Sequence, residues 1–278
     1  MGLVDVAKKL DFKDFYEQWV TMQHVTMDEL QRALQDNVIQ GKDLEETVEK
    51  ARVLYVSYYD AMDKAAKEDV LQVISPSWRS SLERAFMWLG DWRPSSAYQL
   101  VYGLAGQKVE QEIAQLLSGV EAPSLDSLTA SQLASINSQQ LETLEEEERL
   151  RCQIAALQGR LADRPMVSLA EIIKDATGGI ECYTVDKPRT VLSGEDRASG
   201  LNDDRRNERI STAEGLIKME MYERLQRLQE LLLAAVSLRR RTLDGLLHTL
   251  TSLQSAQFLL ASFQLQSALR HSAERLKQ

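Results

Sequence analysis

The residues through which this chain could do chemistry are few. They are His24, His248 and His271, the cysteines Cys152 and Cys182, a run of four glutamates at Glu145–Glu148, and a group of tryptophans. A metal centre needs nitrogen, sulfur or carboxylate donors at short regular spacing, and neither HExxH nor CxxC occurs. Covalent catalysis needs a nucleophile beside a base. No G-x-S-x-G motif and no paired Cys/His arrangement is present. GLAGQK at 103–108 puts Gln107 where the lysine of a phosphate-binding loop would follow glycine, so no phosphate cradle is expected. Glu145–Glu148 lies within one turn of Arg149 and Arg151, so it reads as a solvated helix face rather than an acidic binding patch. No catalytic or metal-binding residue is assigned, and the chain is expected not to be an enzyme.

The tryptophans are placed unevenly. Three of the four, Trp78, Trp88 and Trp92, fall within SWRSSLERAFMWLGDWRPSSAYQLV at 77–101. Aromatic residues at helical spacing are usually core, because each buries about 150–250 Å². The cluster therefore reads as a structural device fixing the turn between two core helices. On that reading Trp88→Ala costs about 3–5 kcal/mol if the residue is buried. A change under about 1 kcal/mol would instead mark an exposed binding surface.

The elements that position these residues are helices. Five prolines and thirteen glycines in 278 residues leave long helices as the default. Phe12, Phe15, Trp19 and Met22 recur at steps of three and four, which predicts a helix over 10–36. Leu44, Val48, Ala51, Tyr55, Tyr58, Met62 and Ala65 predict a second over 43–73 and form a seam for a neighbouring helix. Pro76 ends it. Ser80 or Ser81 caps the next helix, with Leu82, Ala85, Phe86 and Leu89 as its apolar face. Met87 and Trp88 make its last turn apolar nearly all round, which predicts deep burial, and Gly90 stops it. Pro94 opens a further helix with the stripe Ala97, Leu100, Val101 and Leu104.

Thr129 with Gln132 fits a capping box and predicts a long helix over 130–162 carrying Leu133, Ile136, Leu144, Ile154, Leu157 and Leu161. Residues 177–209 hold four glycines and many charges and read as a flexible internal linker. A long helical pattern resumes near 210, with Met221, Leu225, Leu228, Leu232, Ala235, Thr242 and Leu246. A turn at Thr251–Ser252 leads into a last helix over 254–276. No strand pattern of convincing length exists. The fold class is all-α, a bundle of long antiparallel helices with a disordered linker, read as one domain over 10–278.

Charge and composition narrow the function. The net charge is −9 and the pI about 5.1, which disfavours direct contact with nucleic acid. Two cysteines give no disulfide framework, no run of 18 apolar residues exists, and the N-terminus carries no secretory signal. Placement in nucleus or cytoplasm, with no membrane, is expected.

Four ordered blocks carry a family resemblance: FYEQWV at 15–20, the stretch 69–101, SLTASQLASIN at 127–137 and LRRRTLDGLLHTLTSLQSAQFLLA at 238–261. Together they resemble the plant Delay of Germination (seed dormancy control) proteins. The same domain forms the C-terminal part of the TGA-type bZIP transcription factors. The signature positions are Trp19, Trp78, Leu82, Glu83, Phe86, Trp88, Leu89, Gly90, Trp92, Arg93, Pro94 and Ser95.

The resemblance implies a non-enzymatic regulator of seed dormancy, germination and abscisic-acid signalling. It would bind protein partners, a protein phosphatase or a bZIP transcription factor, and homodimerise. An alternative reading is a TGA-like regulator that takes part in sequence-specific DNA binding directly or through a bZIP partner. Because no basic region followed by a leucine zipper precedes residue 10, direct DNA contact is not expected. A second alternative is a haem- or lipid-binding helical sensor. The resemblance places a haem-ligating histidine pair, four residues apart on the last helix, at positions occupied here by Gln266 and Arg270. His248 and His271 are the remaining haem candidates. Folding the two C-terminal helices together sets them about 20 Å apart at 1.5 Å per residue, so no cofactor is assigned.

Overall fold

The computed structural model describes residues 12–35, 41–106, 128–160, 167 and 200–275. Among the described residues the chain is all-helical, and a lone bridge between Trp88 and Asp91 is the one β-type pairing. The helices are α1 (Phe12–Gln35), α2 (Gly41–Glu68), α3 (Val70–Ile74), α4 (Ser81–Phe86), α5 (96–106), α6 (Ala130–Gly159), α7 (Gly200–Thr249) and α8 (Ser252–Arg275). The chain divides into two compact units. One runs to Arg151 and resumes at Gln229; the other is Cys152–Leu228.

The first unit is built on α2. Its buried stripe Ala51, Tyr55, Tyr58, Met62 and Ala66 follows the heptad-like spacing, with Ala66 in place of the expected Ala65. α1 packs antiparallel to it: Phe12 meets Tyr58, and Trp19 meets both Tyr58 and Tyr55. α7 also runs antiparallel to α2, through Arg52–Asp244, Asp60–Arg240 and Gln229 donating to the Ala66 carbonyl. α8 lies alongside α1 and α2, with Phe263 stacked on Tyr55 at 4.9 Å. In the second unit Arg227 Nη2 donates to Gln153 Oε1 at 3.3 Å.

Several local expectations are corrected. Met22 is 52% exposed; the buried face of α1 is Phe12, Tyr16, Trp19, Gln23, Thr26 and Leu30. Two polar residues take the place of apolar ones because partners meet them. Gln23 bonds Gln266 and Arg270 of α8, and Thr26 bonds back to the Met22 carbonyl. The second helix does not run to 73. Asp69 leaves helical geometry and caps α3, accepting from the amides of Leu71 and Gln72.

The apolar face of α4 is also wrong. Phe86 is 58% exposed and Ala85 is exposed, Leu82 is half-buried, and Glu83 is the buried residue. α4 ends at Phe86, so Met87 and Trp88 are not its last turn and Trp88 is only half-buried. The full-burial cost for Trp88→Ala therefore does not apply. α5 begins at Ser96, just past Pro94, and buries Tyr98 and Val101 while Ala97, Leu100 and Leu104 are half-buried.

Thr129 and Gln132 form the expected reciprocal cap of α6. Yet Leu133 and Leu144 are exposed, and the buried face is Ile136, Thr143, Glu147 and Leu150. Met221 is 37% exposed. α7 begins at Gly200, so residues 200–209 of the expected linker are helical; residues 177–199, with Cys182, lie outside the described residues. The turn falls at 250–251, one residue before the expected 251–252, and α8 begins at Ser252 rather than 254, with Thr251 and Gln254 capping it reciprocally.

The connection between α4 and α5 requires glycine. Leu89 and Gly90 both have positive φ, 48° and 77°. A Cβ on Gly90 would lie 2.9 Å from the Val73 carbonyl oxygen. Gly90→Ala should lose about 2 kcal/mol, from the left-handed backbone and the clash together. A thermal melt unchanged by this substitution would show that the turn relaxes freely.

Candidate functional site: a buried polar knot beneath an aromatic cleft

The signature segment folds into a corner held by charges. Ser80 Oγ accepts from the Glu83 amide at 3.1 Å, and Glu83 Oε2 accepts from the Ser80 amide at 2.9 Å, a closed capping box. Glu83 also accepts from the Tyr16 hydroxyl at 3.4 Å, which ties α4 to α1. Arg79 is buried. It bonds the Tyr58 hydroxyl, pairs with Asp91 at 3.4 Å and stacks over the Tyr16 ring. Burial alone would pull its guanidinium down, but Tyr58, Asp91, Tyr16 and Glu83 more than reverse this and hold it above the ordinary arginine range.

Arg239 of α7 completes the corner. Its Nε donates to the Trp92 carbonyl at 2.7 Å, and its Nη2 donates to the carbonyls of Leu89 at 3.0 Å and of Trp88. The guanidinium lies 5.7 Å from the centre of the Trp88 ring. Burial pushes Arg239 below the ordinary arginine range, and Asp91 only partly offsets that.

On the other side of the corner sits Glu147, fully buried in α6. Oε2 accepts from Arg93 Nε at 2.6 Å and from Ser95 Oγ at 3.0 Å; Oε1 accepts from the Ser95 amide at 2.6 Å. The glutamate run is thus not a uniform solvated face. Glu146 and Glu148 do pair locally with Arg149 and Arg151, as the spacing suggests. One carboxylate of the four is turned inward, because it alone faces the amide and hydroxyl at the start of α5.

The three signature tryptophans take different places. Trp78 packs edge-on against Phe12 at 5.8 Å, Trp88 lies under Arg239, and Trp92 lines a cleft. That cleft, about 880 Å³ counting space open to solvent, is walled by Tyr16, Trp19, Tyr55, Trp92 and Phe258. Burial lifts Tyr55, Tyr58 and Tyr59 well above the usual phenol range. A folded-state pKa raised above the unfolded value stabilises the fold below about pH 10, and that stability is lost as pH rises further. In an alkaline titration followed by phenolate absorbance, these three should be missing near pH 10 and appear together with loss of helix. Full titration of every tyrosine with the helices intact would contradict this.

The two positions that the resemblance gives to haem ligands are engaged in a polar network. Gln266 accepts from Gln23 at 2.7 Å and donates to the Tyr55 hydroxyl at 3.1 Å, and Arg270 donates to Gln23. An amide and a guanidinium engaged in this network do not supply the nitrogen lone pairs that iron takes, so these residues do not fit haem. His248 lies in the last turn of α7. His271 is instead beside His24, with ring centroids 6.4 Å apart and Ser267 Oγ 3.3–3.4 Å from both rings. Among the described residues no group of three or more His, Cys, Asp or Glu is placed to hold a metal ion. No described helix is long and apolar enough to cross a membrane.

Sequence reasoning missed Arg79, Asp91, Glu147 and Arg239. The S-x-x-E pattern at Ser80–Glu83 was a usable sign for Glu83. Nothing in the local sequence distinguishes Glu147 from its neighbours.

The described residues form an all-helical domain whose signature segment is a charge-locked corner. The family model for seed dormancy control matches residues 26–103. The chain is 26% identical to Protein DOG1-like 3 of Arabidopsis thaliana, over 92% of this chain and 82% of that protein. It is 25% identical to Protein DOG1-like 4 of the same plant, over 95% and 92%. It is also 29% identical to the rice transcription factor TGAL1, over 94% of this chain but 44% of that factor. The chain is thus similar both to the DOG1-like proteins and to the TGA transcription factors, consistent with a domain that the two groups share. These likenesses support a regulatory role related to dormancy control and transcription.

Proposed function

We propose that this chain is a non-enzymatic interaction protein of the seed-dormancy and abscisic-acid signalling type. It acts in the nucleus or cytoplasm by binding a protein phosphatase or a bZIP transcription factor. The observation that carries this reading is likeness to DOG1-like proteins and to TGA factors along more than nine-tenths of the chain. The buried charges support it. Arg79, Glu83, Asp91, Arg93 and Glu147 are committed to one another or to backbone and hydroxyl groups, which is a structural use of charge. The TGA-like alternative rests on the rice factor and on TGA2 of Arabidopsis thaliana, 27% identical over 94% of this chain and 63% of that factor. Because much of each factor lies outside the match, DNA contact is assigned to the bZIP partner.

The test is calorimetric titration of the purified chain with an abscisic-acid-pathway protein phosphatase and with a TGA-type bZIP factor. A gel shift on a TGACG duplex accompanies it. Binding to either protein, with no shift by the chain alone, is expected. A salt-dependent, sequence-selective shift by the chain alone would establish the DNA-binding alternative. Failure to bind either protein would remove the proposal.

A further inference from the structure

Two histidines from distant parts of the chain meet on one face of the bundle. His24 comes from α1 and His271 from near the end of α8, with ring centroids 6.4 Å apart and planes nearly perpendicular. His24 is the fixed member. Its Nδ1 lies 2.8 Å from the Val20 carbonyl oxygen, which can only accept, so Nδ1 carries the proton and the lone pair is at Nε2. That Nε2 is turned to α8, 3.4 Å from Ser267 Oγ, one turn before His271. His271 is the movable member. Its Nδ1 is held by the Ser267 carbonyl at 2.8 Å, which leaves its lone pair at Nε2 as well. The residue is exposed, and exposed side chains change rotamer within nanoseconds. The neighbouring cation, Arg270, bonds Gln23 and neither ring.

We propose that His24 and His271 together bind one divalent late transition ion, copper(II) ahead of zinc, each through Nε2. Histidines that ligate metals characteristically donate the other ring N–H to a carbonyl or carboxylate, which fixes the tautomer. Both rings already do so at Nδ1. Imidazole suits copper, zinc and nickel, and copper(II) heads the affinity order at nitrogen sites. Calcium and magnesium take oxygen donors, so neither is expected here. With metal–nitrogen bonds of about 2 Å, two imidazoles on one ion have ring centres about 5–6 Å apart, so His271 closes by about 1 Å. The Ser267 hydroxyl gives up its contact with His24, and water completes the shell. The ion joins α1 to α8. This goes beyond the partner-binding reading and does not depend on it.

Calorimetric titration of the full chain with copper(II) tests the site, in a Cys152→Ser/Cys182→Ser background that removes competing thiols. One ion per chain is expected. His24→Ala and His271→Ala should each weaken binding at least about 10-fold, no less than the loss of an outer-shell partner costs. Electron paramagnetic resonance of the complex should show two equatorial nitrogens. The ion should raise the melting temperature of the parent but of neither variant. His248→Ala, on α7, should leave these readings unchanged. Should His24→Ala not fold, His271→Ala at its exposed position decides alone. No binding by the parent, a single-nitrogen spectrum, or undiminished binding by a folded variant at either histidine would each overturn the proposal.

Discussion

Replacing Arg239 with methionine is expected to lower the urea midpoint of unfolding by about 1–2 M, a loss of about 4 kcal/mol. The loss is not that of an ion pair. Three carbonyls, those of Trp88, Leu89 and Trp92, accept from this one side chain, and methionine removes that donor from all three, leaving the Trp88 carbonyl only the Asp91 amide at 3.4 Å. An unmet buried carbonyl costs about 1–3 kcal/mol. The packing of the stem is largely kept by methionine, so the effect isolates the hydrogen bonds. Arg239→Lys should recover less than half of the loss, because an ammonium cannot span three acceptors as a planar fork does. Near-ultraviolet circular dichroism follows the tryptophan environment, and far-ultraviolet signal follows the helices. A midpoint shift under about 0.3 M for Arg239→Met would show that water replaces the guanidinium at little cost.

Glu147→Ala should cost about 3 kcal/mol. Arg93 supplies little of this, since its side chain is 47% exposed and can return to water. The greater part comes from the Ser95 amide and hydroxyl, which are buried and lose their acceptor. A double-mutant cycle separates the two. Coupling of Glu147 to Ser95 in the Ser95→Ala background should exceed its coupling to Arg93 in the Arg93→Ala background. Glu148→Ala, one residue away and exposed, should change stability by no more than about 0.5 kcal/mol. Equal effects at 147 and 148 would restore the picture of a uniformly solvated run.

These two residues mark where the sequence stops being legible. Helix positions were readable because apolar residues recur with the helical period, and the Tyr55–Tyr58–Met62 seam was placed correctly on that basis alone. Caps were readable because a short polar side chain three residues from Glu or Gln has one low-energy local use, as at Thr129–Gln132. The same pattern stood at Ser80–Glu83 and Thr251–Gln254, and both form. Faces were misjudged wherever a polar group is buried against a distant partner. Gln23 displaces Met22 because Gln266 and Arg270 come to it from α8, and Glu83 displaces Phe86 because Tyr16 reaches it from α1. Charged residues belong in water unless paired, so Glu147 and Arg239 read as surface until the chain brings their partners from 52 and about 150 residues away. The two positions that the resemblance gives to a haem-ligating pair hold Gln266 and Arg270, both engaged with Gln23. The structure brings His271 to His24 on α1, a meeting of the two ends of the chain that no spacing along the sequence announced.

The bond from Arg239 to the Trp92 carbonyl spans 147 residues, and this sets an order on synthesis. The corner at 88–92 emerges from the ribosome long before the arginine that closes it. Until α7 is made, the carbonyls of Leu89 and Trp92 lack their arginine donor, and the left-handed pair Leu89–Gly90 is closed only by the Trp88–Asp91 bridge. Residues 26–103, the stretch that the seed-dormancy-control model matches, should therefore not fold fully alone. The signature is completed by a residue outside it. A fragment cut at the end of α5 should stay helical without a fixed tryptophan environment, and become native only when the C-terminal helices are supplied.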